Sequence, residues 1–258
     1  MERPIPVVLK DVGLTYHTSD GETKAVEHLS LTLKYGDILG IVGPSGSGKT
    51  TLLSVVAGIL APTEGKVEVC GLPPSEGKDK CGYMLQRDEL FPWLTIIDNV
   101  LLSAKVKGLK DRRAYAENLL DKYGLKAYAD RYPRELSGGM RQRVALIRTL
   151  VPSPEILLLD EPFGALDFQT RVYVVDDVRK IIKNEGKSAL FVTHDISEAI
   201  SMCDALAVLS ARPAHVKKFF DLSRLAHLSP MQRRDDPSFG ALYDEVWKAL
   251  EFKKENEI

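Results

Sequence analysis

The chain has 258 residues, 44% of them hydrophobic and 28% charged, with a formal net charge of -1. That length buries a sizeable core as one large domain or two small ones, and the near-neutral charge provides no global basic field for nucleic acid, so no nucleic-acid partner is expected. The three cysteines, Cys70, Cys81 and Cys203, form no CxxC pair, which argues against a zinc site or disulfide framework and fits a reducing compartment.

In chain order, Met1–Lys10 lacks the charged-then-apolar pattern of a signal peptide. Val7–Leu9, Leu29–Leu33 and Val67–Val69 read as short strands, with Thr18–Thr23 (TSDGET) and Thr63–Lys66 (TEGK) as turns between them. Ile38–Val42 is an almost continuous apolar run, the pattern of a strand buried on both faces. A helix is expected from Lys49 to about Leu60, with Thr50 and Thr51 in its first turn, and Gly82–Leu85 is strand-like. From Ile96 to Leu150 the pattern turns helical. Asp111–Tyr123 sets Tyr115, Leu119, Leu120 and Tyr123 on one face before Gly124 stops it, and Ser137 is a good cap for a helix running through Val144, Ile147 and Leu150. Strands return at Ile156–Leu159, Ala189–Thr193 and Ala205–Leu209, with a helix at Val172–Ile182 between the first two. This β-α-β crossover predicts an α/β fold with a mostly parallel sheet and helices on both faces, into which the helical middle is inserted. Residues after about Arg212 are expected to form a short tail with an amphipathic helix at Phe239–Leu250. No stretch reaches the ~18 apolar residues that span a bilayer, so any work at a membrane is expected to run from the cytosolic side through a partner.

Gly43-Pro44-Ser45-Gly46-Ser47-Gly48-Lys49-Thr50 fits G-x-x-x-x-G-K-[ST] between a buried strand and a helix. Glycines let the backbone approach phosphate closely, and successive N–H groups at a helix start form an anion nest. Lys49 is suited to neutralise β- and γ-phosphate oxygens and the Thr50 hydroxyl to bind Mg²⁺. Ile156-Leu157-Leu158-Leu159-Asp160-Glu161 supplies the acidic partner at the end of another buried strand, where open parallel sheets put ligands. Asp160 is the candidate to hold Mg²⁺ and Glu161 the candidate general base for the attacking water. His194, after the next apolar run, would sit beside the nucleotide, within reach of the γ-phosphate.

Leu136-Ser137-Gly138-Gly139-Met140 resembles the LSGGQ signature of ABC-type ATPases, with Met in place of Gln, and lies between the phosphate loop and the DE-ended strand as in that family. The resemblance covers nearly the whole chain. It implies a P-loop NTPase core of about residues 1–86 and 151–210 that includes an N-terminal antiparallel β subdomain. A helical signature subdomain of about 87–150 and a short extension of about 211–258 complete a single nucleotide-binding domain, 1–258. It also implies that Tyr16 stacks on adenine, that Gln86 is the Q-loop residue contacting Mg²⁺ or the attacking water, that Asp167 belongs to the D-loop and that His194 is the switch histidine. Thr51 joins the ATP-binding set, Tyr16, Gly43 to Lys49 and Thr50. Ser137, Gly138, Gly139, Met140 and Asp167 are implied to meet the ATP of a second ATPase subunit, expected to be an identical chain, so that two ATP molecules lie between two chains packed head to tail.

In transporters of the family a helix of the membrane permease docks near Gln86–Asn99, and a solute-binding protein acts indirectly. Leu90-Phe91-Pro92-Trp93-Leu94-Thr95, Met140, Glu161 to Asp167, Ser210-Ala211-Arg212-Pro213 and the tail resemble the nitrate/sulfonate/taurine class of importers, while the chain is too short for the C-terminal regulatory domain of sugar-type importers. Asp204-Ala205-Leu206 departs from the Asp-Arg-Val usual in that class. Importers of thiamine precursors and separate exporter or lipid-trafficking ATPases remain alternatives. A repair or ribosomal ATPase is disfavoured by the absence of a long coiled-coil or zinc insertion and of a second cassette.

Overall fold

A computed structural model of the chain describes residues 4–18 and 21–251. The elements in order are β1 (Val7–Thr18), β2 (Gly21–Leu33), β3 (Ile38–Val42), α1 (Lys49–Val56), β4 (Glu64–Val69), α2 (Pro74–Gly77), β5 (Cys81–Met84), α3 (Ile96–Val106), α4 (Arg113–Lys122), α5 (Gly138–Leu150), β6 (Ile156–Asp160), α6 (Phe168–Asn184), β7 (Ser188–Thr193), α7 (Ile196–Met202), β8 (Ala205–Leu209), β9 (Val216–Asp221), α8 (Pro230–Asp235) and α9 (Phe239–Leu250). They form a three-stranded antiparallel sheet in the order β2-β1-β4 and a six-stranded sheet in the order β5-β6-β7-β3-β8-β9. The large sheet is parallel except for β9, which runs antiparallel to β8. Among the described residues, no helix is long and apolar enough to cross a membrane.

The apolar runs of the large sheet are buried on both faces, and successive side chains serve different cores. Leu157 and Leu159 of β6, with Ala189 and Phe191 of β7, pack into a cluster built largely from α3 to α6. Ile156 and Leu158, with Leu190 and Val192, pack into the opposite cluster with α1 and the antiparallel sheet. This is the period of two that a strand imposes. Each of these fully buried leucines and isoleucines contributes on the order of 1.5–3 kcal/mol, so the sheet is fixed from both sides and its ends make a stiff platform. A third cluster joins β8 to α7 and α9.

Four local expectations change. Thr63–Lys66 was expected to turn, but β4 starts at Glu64. Gly65 adopts a φ of 77°, and a Cβ there would stand 2.1 Å from the Asp11 carbonyl oxygen. The glycine therefore marks close strand approach beside a bulge, not a chain reversal. β1 and β2 are 12 and 13 residues long; their alternation is obscured by register shifts, with positive φ at Asp11 and His28. The Thr18–Thr23 turn falls partly on Ser19 and Asp20, outside the described residues. Helix α1 stops at Val56, not near Leu60, because Gly58 turns left-handed and the Ile59 N–H bonds back to the Ser54 carbonyl at 2.9 Å. Finally, β9 lies in the tail expected to have no strand; its Lys217 and Lys218 are exposed, the charged dress of an edge strand, which hides the apolar alternation.

Asp204 ties several elements together at the other end of the sheet. Its Oδ2 accepts from the Ile38 N–H at 2.8 Å and from Lys183 Nζ at 2.7 Å, its Oδ1 accepts from Arg179 at 2.8 Å, and Arg233 of α8 lies 3.6 Å away. Burial alone would raise this carboxyl's pKa, but Arg179 and Lys183 outweigh it and hold the group below the ordinary aspartate value. Burial and the neighbouring Arg179 lower the Arg233 guanidinium to about 10.

Candidate active site

The carboxyl ends of β6, β7, β3 and β8 stand side by side, and the chemistry-bearing residues leave the sheet there. Gly43–Thr50 follows β3 directly. Gly46 and Gly48 hold φ at 75° and 97°, and Gly48 is the left-handed N-cap of α1, where a Cβ would stand 3.2 Å from the Ala25 carbonyl oxygen. The first turn of α1 has no side-chain cap and no acidic residue. Its N–H groups therefore keep their capacity for an anion, and the positive end of the helix dipole favours one. Lys49 is 6% exposed and folds back over the loop, its Nζ donating to the Gly43 and Pro44 carbonyls at 2.9 Å each. Burial lowers its pKa against the pull of Glu161 and Asp160. Ser47 Oγ is buried without a hydrogen-bond partner among the described residues.

Asp160, the last residue of β6, is 7% exposed. The Thr50 hydroxyl donates to its Oδ1 at 3.2 Å and the Tyr83 hydroxyl to its Oδ2 at 3.3 Å. Burial pushes the Asp160 carboxyl above the usual aspartate value and the Tyr83 phenol well above its own. Glu161 follows with φ at 44°, its N–H bonded to the Val192 carbonyl at 2.9 Å. This left-handed turn separates its side chain from that of Asp160 and brings Oε2 to 2.8 Å from His194 Nδ1 at the end of β7. An open cavity of about 550 Å³ is lined by Ser45, Gly46, Gly48, Lys49, Thr50, Thr51, Glu161, His194 and Arg212. Tyr16 is not in that lining, but its hydroxyl bonds the Thr51 hydroxyl at 3.0 Å and so reaches the same helix turn. Gln86 is exposed and its Nε2 lies 3.6 Å from where a Cβ of Gly164 would stand, and it is not in the cavity's lining.

The signature residues and Asp167 are absent from the lining. Ser137 caps α5, its Oγ accepting from the Met140 N–H at 3.3 Å. A Cβ on Gly139 would come within 2.7 Å of a Val174 methyl and one on Gly138 within 3.0 Å of Leu166, so both glycines also let the start of α5 pack against α6 and the loop before it. Asp167 caps α6, accepting from the Thr170 N–H at 3.0 Å, which lowers its pKa. Further along α5, Arg141 Nε donates to Asp88 at 2.9 Å, and Arg148 donates to the Asp88 and Glu89 carbonyls at 2.6 and 2.7 Å. The loop after Gln86 is thus latched to the signature helix. That loop shows Trp93 to solvent at 69% and Phe91 at 37%, with their rings 5.1 Å apart. The fully buried Asn99 accepts from the Phe91 N–H and donates to the Phe91, Leu94 and Thr95 carbonyls. Sequence reading had no signal for Asn99 or Tyr83 as supports, and treated Arg212 only as part of a class resemblance.

Residues 26–164 match the family model described as ABC transporter. The chain is 45% identical over 239 residues to the ABC transporter ATP-binding protein YtlC of Bacillus subtilis, covering 92% of each. It is 40% identical to the taurine import ATP-binding protein TauB of Jannaschia sp., covering 84% of this chain and 82% of that one. To the aliphatic sulfonates import ATP-binding protein SsuB of Bacillus subtilis it is 38% identical, covering 90% and 89%. Among solved structures, the dimeric post-hydrolysis state of the ATP-binding cassette MJ0796 bound to ADP and Pi is similar with a TM-score of 0.69 and 32% identity, over 84% of this chain and 98% of that one. The cbiO1 structure from Clostridium perfringens shares the fold, with a TM-score of 0.76 at 24% identity over 95% of this chain and 99% of that one.

Proposed function

The chain belongs to the ABC transporter family and is an ATP-binding, ATP-hydrolysing transporter subunit, and from that premise we propose that it drives an importer of small anionic or zwitterionic solutes of the nitrate/sulfonate/taurine type. The resemblance to the taurine and sulfonate import subunits supports the solute class. In this reading Lys49 and the N–H groups of Gly43–Thr50 hold the triphosphate and Tyr16 meets adenine. Glu161 takes the proton of the attacking water, and His194, bonded to that carboxylate, orients it and reaches the γ-phosphate. Magnesium suits the donor set: hard cations take oxygen ligands, and a buried carboxylate with a hydroxyl 3.2 Å away is of that kind. Among the described residues no three His, Cys, Asp or Glu side chains converge as a metal site, so Thr50, Asp160 and Gln86 would share the ion with nucleotide oxygens and water. The ion, when bound, neutralises charge developing on the phosphates.

The observation that carries the mechanism is an unfinished site. The cavity has a phosphate nest, a carboxylate and a histidine in its lining and lies open, while Ser137, the exposed cap of α5, lies outside that lining. A helix start with N–H groups and a positive dipole end is chemically suited to a γ-phosphate, so Ser137, Gly138, Gly139, Met140 and Asp167 are assigned to the ATP of a second, identical chain. ATP closes the head-to-tail pair and hydrolysis reopens it. The division into a core with its β subdomain, a helical part of about 87–150 and a short C-terminal extension follows the same reading, with a transmembrane permease docking on Gln86–Asn99 from the membrane side of the cytoplasm. Ser137→Arg tests the shared site: ATP binding by the single chain is expected to persist while ATP-dependent dimers disappear in sedimentation. Dimers that still form on ATP would sink the shared-site reading.

A further inference from the structure

Sheet order gives Ser210-Ala211-Arg212-Pro213 a place that the motifs above leave unexplained. The strands run β6-β7-β3-β8 across the site. Glu161 and His194 leave β6 and β7 on one flank of the phosphate loop, and Arg212 follows β8 on the other, three residues beyond Leu209, whose Cβ would stand 3.1 Å from a Cβ on Gly43. Arg212 nevertheless lines the same cavity as Lys49, Glu161 and His194.

Its backbone is well held. Ser210 Oγ accepts from the His215 N–H at 2.9 Å and lies 2.7 Å from the Ala211 carbonyl oxygen. The Ala214 N–H bonds the Ala25 carbonyl at 2.9 Å, and the Glu27 N–H bonds the Ala214 carbonyl at 3.0 Å. The Ala25 carbonyl is also the atom against which Gly48 packs, so one strut positions both the phosphate loop and Arg212. The Arg212 side chain itself is exposed and has no hydrogen-bond or ion-pair partner among the described residues. An arginine without a partner, on a braced backbone, facing an anion nest, is well suited to phosphate, which its planar fork can bind through two N–H groups at once.

We propose that Arg212 is a phosphate-binding residue of the nucleotide site, reaching over the loop from the flank opposite Glu161 and His194 to pair with non-bridging oxygens of the bound nucleotide. The proposal rests on reading Gly43–Thr50 as the ATP loop. Because Arg212 approaches away from the hydrolytic pair, its contact is shared by ATP, ADP and the transition state. It therefore strengthens binding without adding to turnover.

Calorimetric titration of the full-length chain with ATP and with ADP, alongside steady-state hydrolysis, tests this. Arg212→Gln is expected to raise both dissociation constants about five- to thirty-fold, between the effect of an exposed ion pair and that of a charge-assisted hydrogen bond. Turnover at saturating ATP should stay within about threefold of wild type, and Arg212→Lys, which keeps the charge but not the fork, should recover only part of the affinity. If Arg212→Gln binds both nucleotides as wild type does while Lys49→Ala is weakened, the Arg212 contact is wrong and the ATP loop stands. A wild-type chain that binds no ATP, or a Lys49→Ala chain that binds it normally, overturns the loop reading and this proposal with it. Loss of turnover at unchanged affinity also overturns it, since Arg212 would then act in the transition state alone.

Discussion

Glu161 keeps a φ of 44° that a glutamate rarely adopts, and the strain sits where the chain leaves β6 between two carboxylates of different surroundings. Asp160 is buried at the end of β6 with Thr50 and Tyr83, while Glu161 turns towards His194. A local conformation costing on the order of 1–3 kcal/mol at such a point fits a site whose geometry comes before its stability. Glu161→Gln preserves shape and hydrogen bonding to His194 but cannot accept a proton. It is expected to bind ATP as wild type does while turnover falls by about 10²–10⁴ in steady-state assays; near-wild-type turnover would remove Glu161 as the base. That Lys49, Asp160, Glu161 and His194 come to one end of the sheet was legible in the sequence, because Lys49 closes a glycine-rich loop after one apolar run, the other three follow apolar runs directly, and the ends of buried parallel strands converge. The Tyr83 and Asn99 supports were not legible, because a phenol or an amide inside a strand or helix carries no pattern until its partner is in place.

At the scale of elements, strands buried on both faces were the most readable part of the chain, since Ile38–Val42 and Ile156–Leu159 have to be apolar throughout. The long antiparallel strands and β9 were less readable because bulges and edge lysines break the period of two. Asp204 shows how the elements are joined: one carboxylate serves the backbone of β3, two cations of α6 and one of α8. The departure from Asp-Arg-Val at Ala205 and Leu206 leaves that aspartate in place. Asp204→Asn strands the buried Arg179 and is expected to cost about 3–5 kcal/mol of unfolding free energy in denaturant titrations. Its folded-state pKa is depressed, so its contribution is complete above the ordinary value of 3.8 and is lost as pH falls through the lower folded value. The difference between wild type and variant should therefore be flat near neutrality and shrink only below about pH 4; a difference that stays constant down to pH 2 would show that the charge is not what stabilises.

For the molecule as a whole, the exposed aromatics at Phe91 and Trp93 are braced from behind by Asn99 and held to α5 by Arg148. A rigid, aromatic, partly exposed loop is suited to be an interface anchor. Trp93→Ala is expected to leave ATP binding unchanged and to weaken association with the permease about tenfold or more in co-purification or surface-binding assays; unchanged association would move the docking surface elsewhere. The shape of the loop was not legible in Leu90 to Thr95, because exposure depends on what the rest of the chain covers.

The latch from Arg141 and Arg148 to Asp88 and Glu89 has a thermodynamic corollary. One helix bears the signature serine at its cap and the clasp on the docking loop further along. If Ser137 meets ATP and the loop after Gln86 meets the permease, as proposed above, any coupling carried by this helix is reciprocal, since linkage requires the two influences to be equal in size. Whatever ATP between the cassettes does to the affinity for the permease, the permease does to the affinity for ATP. In this chain that exchange would run through two arginines on α5.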